Sequence, residues 1–294
     1  MASKSRDPKK GPRPSKSTPK QSAPGVERKL VPAADHGEKT YRGAEKLRGL
    51  AAVITGGDSG IGRAVAIAFA REGADVAIGY LSEKEEEDAN ETVRWIEETG
   101  RRALKVRFNA QRRSECRRFV DKAMKEFGRL DIVVNNAAYQ QEQQSILDIT
   151  EEQLDSTFRT NIYGYFFMVQ AALPYLKKGA VILNTGSVTA LKGNKTLLDY
   201  SATKGAIHVF TKSLAMNLAE KGIRVNCVAP GPVWTPLIPA TMSREHIDRF
   251  GSDTMWGRPA QPAEIAPSFV FLASADGRYY SGDVLAPTGS ESSR

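Results

Sequence analysis

Tyr200 and Lys204, in the stretch YSATK, stand four residues apart, a spacing that puts phenol and ammonium on one face of a helix. A phenol with its ordinary pKa near 10 exchanges protons poorly at neutral pH. A neighbouring ammonium favours the phenolate, lowers that pKa and makes an acid/base of useful strength. Ser187 closes the run GAVILNTGS, thirteen residues before Tyr200. A hydroxyl there could hold a carbonyl or alcohol oxygen beside the phenol, so Ser187 and Tyr200 are the candidate substrate contacts. Asn161, in TNIYGYFF, lies inside a helical pattern where Asn is mildly unfavourable and reports side-chain hydrogen bonding. Each signal alone has a plainer reading, as two solvated residues on a helix face or a serine in a turn.

A second kind of chemistry is written in TGGDSGIGRA, Thr55–Ala64, with glycines at 56, 57, 60 and 62. Glycine lets a backbone approach a pyrophosphate closely, and a helix N-terminus offers N–H groups and partial positive charge. The spacing of Gly56, Gly60 and Gly62 is G-x-x-x-G-x-G rather than the commoner G-x-G-x-x-G. Alone, it reads equally as a glycine-rich turn without a ligand.

The elements that must carry these residues alternate. Strands are predicted at 50–56, 74–80, 103–109, 130–138, 179–187, 223–231 and 282–289. Helices are predicted at 62–73, 82–100, 114–127, 151–176, 199–222 and 264–274, and residues 232–258 read as irregular. Strands separated by helices of this length imply right-handed crossovers and a parallel sheet covered on both faces. The expected fold is therefore α/β: a single Rossmann-type doubly wound domain with seven strands. The glycine stretch then follows a strand and opens a helix, the setting a dinucleotide site needs.

Charge is unevenly placed. The chain carries a net +8, but residues 1–29 hold nine Lys/Arg and two acids. The rest carries 33 basic and 32 acidic groups, so no basic groove for nucleic acid is expected in the folded part. Residues 1–23 are rich in Lys, Ser and Pro and read as a disordered basic tail. Residues 24–49 form a polar lead-in, and 50–294 the catalytic domain. No apolar run reaches membrane-spanning length and no secretory signal is evident, so a cytoplasmic protein without a membrane partner is expected. Cys116 and Cys227 show no metal-ligand spacing and read as packed thiols; no metal site is expected.

The ordered set of motifs resembles the short-chain dehydrogenase/reductase family. TGGDSGIG (55–62) is similar to its TGxxxGxG motif, NNAA (135–138) to NNAG, and APGPVWT (229–235) to its PG motif with a following Thr. Asn161, Ser187, Tyr200 and Lys204 match the family's tetrad in order and spacing, and the match spans about 50–289. The lead-in together with TGGDSGIGRA and LLDYSATK resembles, more narrowly, the glucose/ribitol dehydrogenase homologues and general-stress oxidoreductases.

The resemblance implies an NAD(P)-dependent oxidoreductase interconverting a carbonyl and an alcohol, with Tyr200 passing the proton and Ser187 orienting the substrate oxygen. Lys204 would lower the pKa of Tyr200 and bind the nicotinamide ribose, and Asn161 would hold a water that links Lys204 to solvent. Cofactor contacts are expected from Gly56, Ser59, Gly60, Ile61, Gly62, Tyr80, Asn109, Asn136, Ala137, Tyr200, Lys204, Pro230, Gly231, Val233 and Thr235. Three positions depart from the family pattern: Ala138 for Gly, Asn109 where Asp is common, and Gly186 where many relatives have a second Ser. The second strand ends in Tyr80 with no acid before Glu83, which leans towards NADP(H) over NAD(H); Lys84 is the cation nearby in sequence. Residues 233–256 are the expected mobile substrate lid, rather apolar through Trp234, Leu237, Ile238, Met242, Phe250 and Trp256. A homodimer or homotetramer, joined through the helices at 151–176 and 199–222, is implied. The competing readings are a catalytically silent dinucleotide-binding regulator and a protein that touches nucleic acid through its tail.

Overall fold

A computed structural model describes residues 7–14 and 17–289. Seven parallel strands form one sheet: β1 (Ala51–Thr55), β2 (Asp75–Tyr80), β3 (Ala103–Arg107), β4 (Ile132–Asn135), β5 (Val181–Thr185), β6 (Arg224–Val228) and β7 (Val284–Leu285). Their order is β3-β2-β1-β4-β5-β6-β7, with Ala52 opposite both Val76 and Ile132. Successive side chains along a strand point to opposite faces. Ala52, Ile54, Val76 and Ile78 accordingly join one core, and Ala51, Val53 and Ala77 the other.

The first core is closed by α1 (Gly60–Arg71), α2 (Glu86–Glu97) and, from far along the chain, α10 (Pro262–Ala273), which presses Phe269 towards Phe69. The second is closed by α3 (Arg113–Phe127), α5 (Gly164–Ala172) and α7 (Leu198–Leu218), through Phe119, Met168 and Ala215; α4 (Glu151–Phe158) packs on α7. Burying a side chain such as Phe69 or Phe119 contributes about 2–3 kcal/mol. The strand order reverses between β1 and β4, and there the crossovers leave a crevice at the carboxyl ends of the strands. The turn Gly56–Ser59 and the segment Asn136–Ala138 flank it.

Three segments differ from expectation. The helix predicted over 151–176 is interrupted by a π-helical turn at Arg159–Tyr163 and ends at Ala172, two residues before Pro174. The 232–258 segment contains α8 (Leu237–Thr241) and α9 (Arg244–Arg249), the latter capped by the Ser243 hydroxyl; α6 is the short Thr189–Lys192 turn. Helices this short leave little periodicity in a sequence.

The third segment is the amino-terminal tail. Its residues 1–6 and 15–16 lie outside the described residues. Residues 17–23 were expected to be disordered, yet they lie along α8 and α9: Thr18 is buried and the Gln21 N–H donates to the Pro239 carbonyl at 3.0 Å. Hydrogen bonding to a distant segment offsets the ordering entropy that local composition could not. The lead-in is fastened similarly by buried Glu72, whose carboxylate accepts from the Tyr41 hydroxyl (2.6 Å) and the N–H groups of Ala44 and Lys46 (2.8 and 3.0 Å).

Candidate active site

A cleft of about 800 Å³ runs across the carboxyl end of the sheet. At one end lies the glycine turn. Gly56 and Gly60 have positive φ (63° and 50°), and a Cβ on Gly62 would overlap the Gly56 carbonyl. Only glycines permit this turn, which brings the first-turn N–H groups of α1 to the cleft. Arg63 braces it from behind, donating through Nε to the Asp58 carbonyl (2.8 Å) and through Nη2 to the Asp88 carbonyl (2.9 Å).

The floor is tied across strands. The Thr55 hydroxyl accepts from the N–H groups of Asn136 (2.9 Å) and Ala137 (3.0 Å). Asn136 Nδ2 donates to the carbonyls of Thr55 and Gly56, both at 3.0 Å. Thr55, the first residue of the TGGDSGIG motif, was not among the expected contacts; it ties the end of β1 to the segment after β4.

Tyr200 and Lys204 sit on α7, one turn apart, over the end of β5. The Ser187 hydroxyl lies by the Tyr200 phenol, whose pKa it lowers, and accepts from the N–H and the hydroxyl of Thr189, at 3.1 and 3.0 Å. Lys204 is almost fully buried, its Nζ 5.3 Å from the Tyr200 ring centroid, and it donates to the Thr185 carbonyl at 2.7 Å. Burial pushes the Tyr200 phenol up to about 12, against a smaller lowering by Ser187, and pushes Lys204 down to about 8. The expected lowering of Tyr200 by Lys204 is thus absent in this geometry. The ammonium is turned to the strand carbonyl, and desolvation of the phenol is the larger effect.

Asn161 occupies the π-helical turn and is fully buried. Its Oδ1 accepts from the Tyr139 N–H (2.8 Å), and its Nδ2 donates to the Tyr139 carbonyl (2.9 Å) and the Thr203 hydroxyl (3.0 Å). It joins the strand-end segment to α7 from behind the cleft and does not line it. Asp199 does related work, accepting from the Tyr200 N–H at 2.9 Å and the Thr157 hydroxyl at 2.7 Å.

The other named positions converge. Ser59, Gly60, Ile61, Tyr80, Asn109, Ala137, Pro230, Gly231, Val233 and Thr235 all line the cleft, with Gly56, Asn136, Ser187, Tyr200 and Lys204. Gly62, under the turn, does not. Asn109 spends its side-chain oxygen on the Gln111 N–H (2.9 Å), and Ala138 also faces the cleft. Gly186 is glycine because a Cβ there would overlap His208 Nε2 and Cys227 Sγ.

At the Tyr80 end the lining carries two carboxyls, Asp58 and Glu85, and burial raises Asp58 to about 8, Glu85 contributing. Lys84 is not the sole cation near that end. Arg107 lies opposite Tyr80 in the β2–β3 register, and Lys105 pairs with Glu86, which also accepts from the Tyr80 hydroxyl. Both cations come from another strand and were invisible to a reading along β2.

The apolar residues of 233–256 divide. Leu237, Ile238, Met242 and Phe250 reach the cleft. Trp234 is fully buried beside Leu30, its Nε1 donating to the Pro32 carbonyl at 2.7 Å. Trp256 faces outward. Among the described residues no His/Cys/Asp/Glu group has the arrangement of a metal site, and no helix is long and apolar enough to cross a membrane. Cys116 and Cys227 are free and buried.

Comparison with known proteins decides the family. A family model described as enoyl-(acyl carrier protein) reductase matches residues 56–289. A short-chain dehydrogenase from Burkholderia cenocepacia, solved in complex with NADP, superposes with a TM-score of 0.78 at 35% identity, covering 83% of this chain and 98% of its own. The chain belongs to the short-chain dehydrogenase/reductase family. It is an oxidoreductase by that membership. NADPH-dependent aldehyde reductase 1 (chloroplastic) of Arabidopsis thaliana is 49% identical over 271 residues, covering 90% of this chain and 94% of the relative. Glucose and ribitol dehydrogenase of Daucus carota is 47% identical over 273 residues, covering 92% and 94%. General stress protein 39 of Bacillus subtilis is 49% identical over 266 residues, covering 90% and 92%.

Proposed function

We propose that the protein interconverts small aldehydes or ketones and their alcohols by hydride transfer, with NADP(H) as preferred cofactor and NAD(H) as the alternative. The observation that carries this reading is the meeting of Ser187, Tyr200 and buried Lys204 in one cleft with the glycine turn. NADP or NADPH in a solved relative and in the name of a plant relative supports the cofactor assignment. So does Asp58, because a carboxyl held protonated near neutral pH does not repel a phosphate as a carboxylate would.

The residues present fit a dinucleotide. The glycine turn leaves no side chain between a pyrophosphate and the α1 N-terminus, and Thr235 stands opposite it, its Cγ2 3.0 Å from where a Gly60 Cβ would lie. Asn136 and Ala137 floor the middle of the cleft, and Lys204 lies at the nicotinamide end. The cofactor supplies or accepts the hydride. Ser187 holds the substrate oxygen. Tyr200 gives that oxygen a proton in reduction and takes one in oxidation, and Lys204, an ammonium below pH 8, steadies the charge left on the phenol. Leu237, Met242 and Phe250 give the substrate an apolar wall. A homodimer or homotetramer belongs to the same reading. Leu154, Tyr163, Phe166 and Met216 are exposed on the helices that would meet, and light scattering would test it.

The decisive experiment follows NADPH oxidation at 340 nm with a panel of aldehydes and ketones, for the wild type and Tyr200→Phe. The variant should lose at least about 10³-fold in kcat, an effect on the scale of general acid catalysis, while still binding NADPH. Turnover retained in Tyr200→Phe overturns the assignment. Cofactor binding without turnover in the wild type favours the silent regulatory reading. Equal kcat/KM with NADH and NADPH defeats the cofactor preference.

A further inference from the structure

The amino-terminal segment reaches the glycine turn. Glu27 is buried, and its Oε2 accepts from the Gly60 N–H at 2.8 Å, at the first residue of α1. The same oxygen lies 3.2 Å from Nε2 of buried His36. Ser59, in the N-cap position, makes no side-chain cap of its own, so a carboxylate from 33 residues upstream performs that service. Ala23, Pro24 and Gly25 meanwhile form part of the cleft wall, opposite the glycine turn's own residues.

The same segment grips the lid. Gln21 donates its N–H to Pro239 in α8 (3.0 Å), and its side-chain oxygen accepts from the Val26 N–H (2.7 Å). Lys20 donates to the Met242 carbonyl, and Arg244 of α9 donates to the Thr18 carbonyl. Gly25 crosses so close that a Cβ there would overlap the Pro236 carbonyl. Beyond Glu27, the N–H groups of Glu27 and Arg28 are fixed on Asp88 of α2, at 2.8 and 3.3 Å. Residues 17–36 thus bond to both sides of the cleft, beside the direct approach of Thr235 to Gly60.

We infer that residues 17–36 are a strap fastening the substrate lid to the cofactor cradle, with Glu27 the positioning residue that holds the Gly56–Gly62 turn in its binding shape. The inference rests on the reading of that turn as a dinucleotide cradle. Glu27 acts through Gly60 and is not a catalytic residue. What it fixes is the peptide that begins α1, so its removal acts on cofactor affinity before it acts on chemistry. Because the strap is also bonded to α8 and α9, filling the cradle is felt at the lid.

Three measurements test this on the full-length protein. Kd for NADPH is read by fluorescence titration, KM and kcat with the most active aldehyde of the panel, and amide exchange by mass spectrometry with and without NADPH. Glu27→Ala should raise Kd about tenfold, the loss of one charge-assisted hydrogen bond, with KM for NADPH rising more than kcat falls. Glu27→Gln keeps an oxygen for the Gly60 N–H but loses the carboxylate charge, and should restore Kd to within about twofold. A carboxylate needed only for its charge would fail in both variants. Gly25→Ala, which forces the strap off Pro236, should raise KM for the aldehyde and, because Gly25 also walls the cleft, the Kd for NADPH with it. In the wild type, NADPH should slow exchange in peptides covering 23–36 and 237–249 as well as 56–62.

Protection confined to 56–62 overturns the strap even if every variant fails to fold, and so does an unchanged Kd in Glu27→Ala. Failure of the wild type to bind either dinucleotide overturns instead the cradle reading on which the strap rests.

Discussion

Asn161→Ala separates a structural anchor from a mere water holder. The side chain is fully buried and makes three hydrogen bonds, two to the backbone of Tyr139 and one to Thr203. Thr203 in turn donates to the Tyr200 carbonyl at 2.7 Å, so the amide lies two bonds from the proposed acid/base residue. Each bond is worth roughly 1 kcal/mol net, so truncation should cost about 3 kcal/mol, and more if the Tyr139 N–H is left dry. A chain of this length melts with an entropy that converts about 3 kcal/mol into a fall of roughly 5 °C. Differential scanning calorimetry reads that directly. The aldehyde assay should show a loss in kcat as well, because Tyr139 and α7 are freed together. Asn161→Asp refines the test. Its carboxyl faces the Tyr139 carbonyl and can donate to it only while protonated, so that variant should melt closer to wild type at pH 5 than at pH 8. A fall below about 1 °C for Asn161→Ala, less than the ~1 kcal/mol of one lost bond, would refute the bonding described here.

Two further perturbations follow. Gly186→Ala places a Cβ against His208 Nε2 and Cys227 Sγ; overpacking of this kind costs about 1–3 kcal/mol, and an unchanged melting temperature would show that the site has room. Asp58 has its folded pKa raised to about 8 by burial and Glu85, so its favourable contribution is complete below the unfolded value of 3.8 and is lost as pH rises through 8. Asp58→Asn should therefore gain stability over wild type as pH rises from 5 to 8, on the order of 2–4 kcal/mol. A melting difference that stays constant from pH 5 to 9 would contradict that sign.

The glycine spacing at 56, 60 and 62, the four-residue step from Tyr200 to Lys204 and the alternation of short apolar runs with longer helical ones all concern neighbours in the chain. Backbone sterics, helix periodicity and strand burial act at that range, so the sequence by itself determined the doubly wound sheet and the shared helix face of Tyr200 and Lys204; the place of Ser187 beside them was implied by the family resemblance. The π-helical turn under Asn161 is set by what Tyr139 and Thr203 require of one amide, which no local pattern encodes. The same holds for Trp234, an apparent lid residue that proves to be an anchor on Pro32, 202 residues away. Tertiary structure alone turned Lys204 to the Thr185 carbonyl and left the Tyr200 phenol raised, because desolvation is a property of the finished interior. It alone ordered residues 17–36. That stretch is too polar to fold on its own account, and it becomes structured because Asp88, Gly60, Pro239 and Met242, brought together by the sheet, offer partners for its N–H groups and side chains.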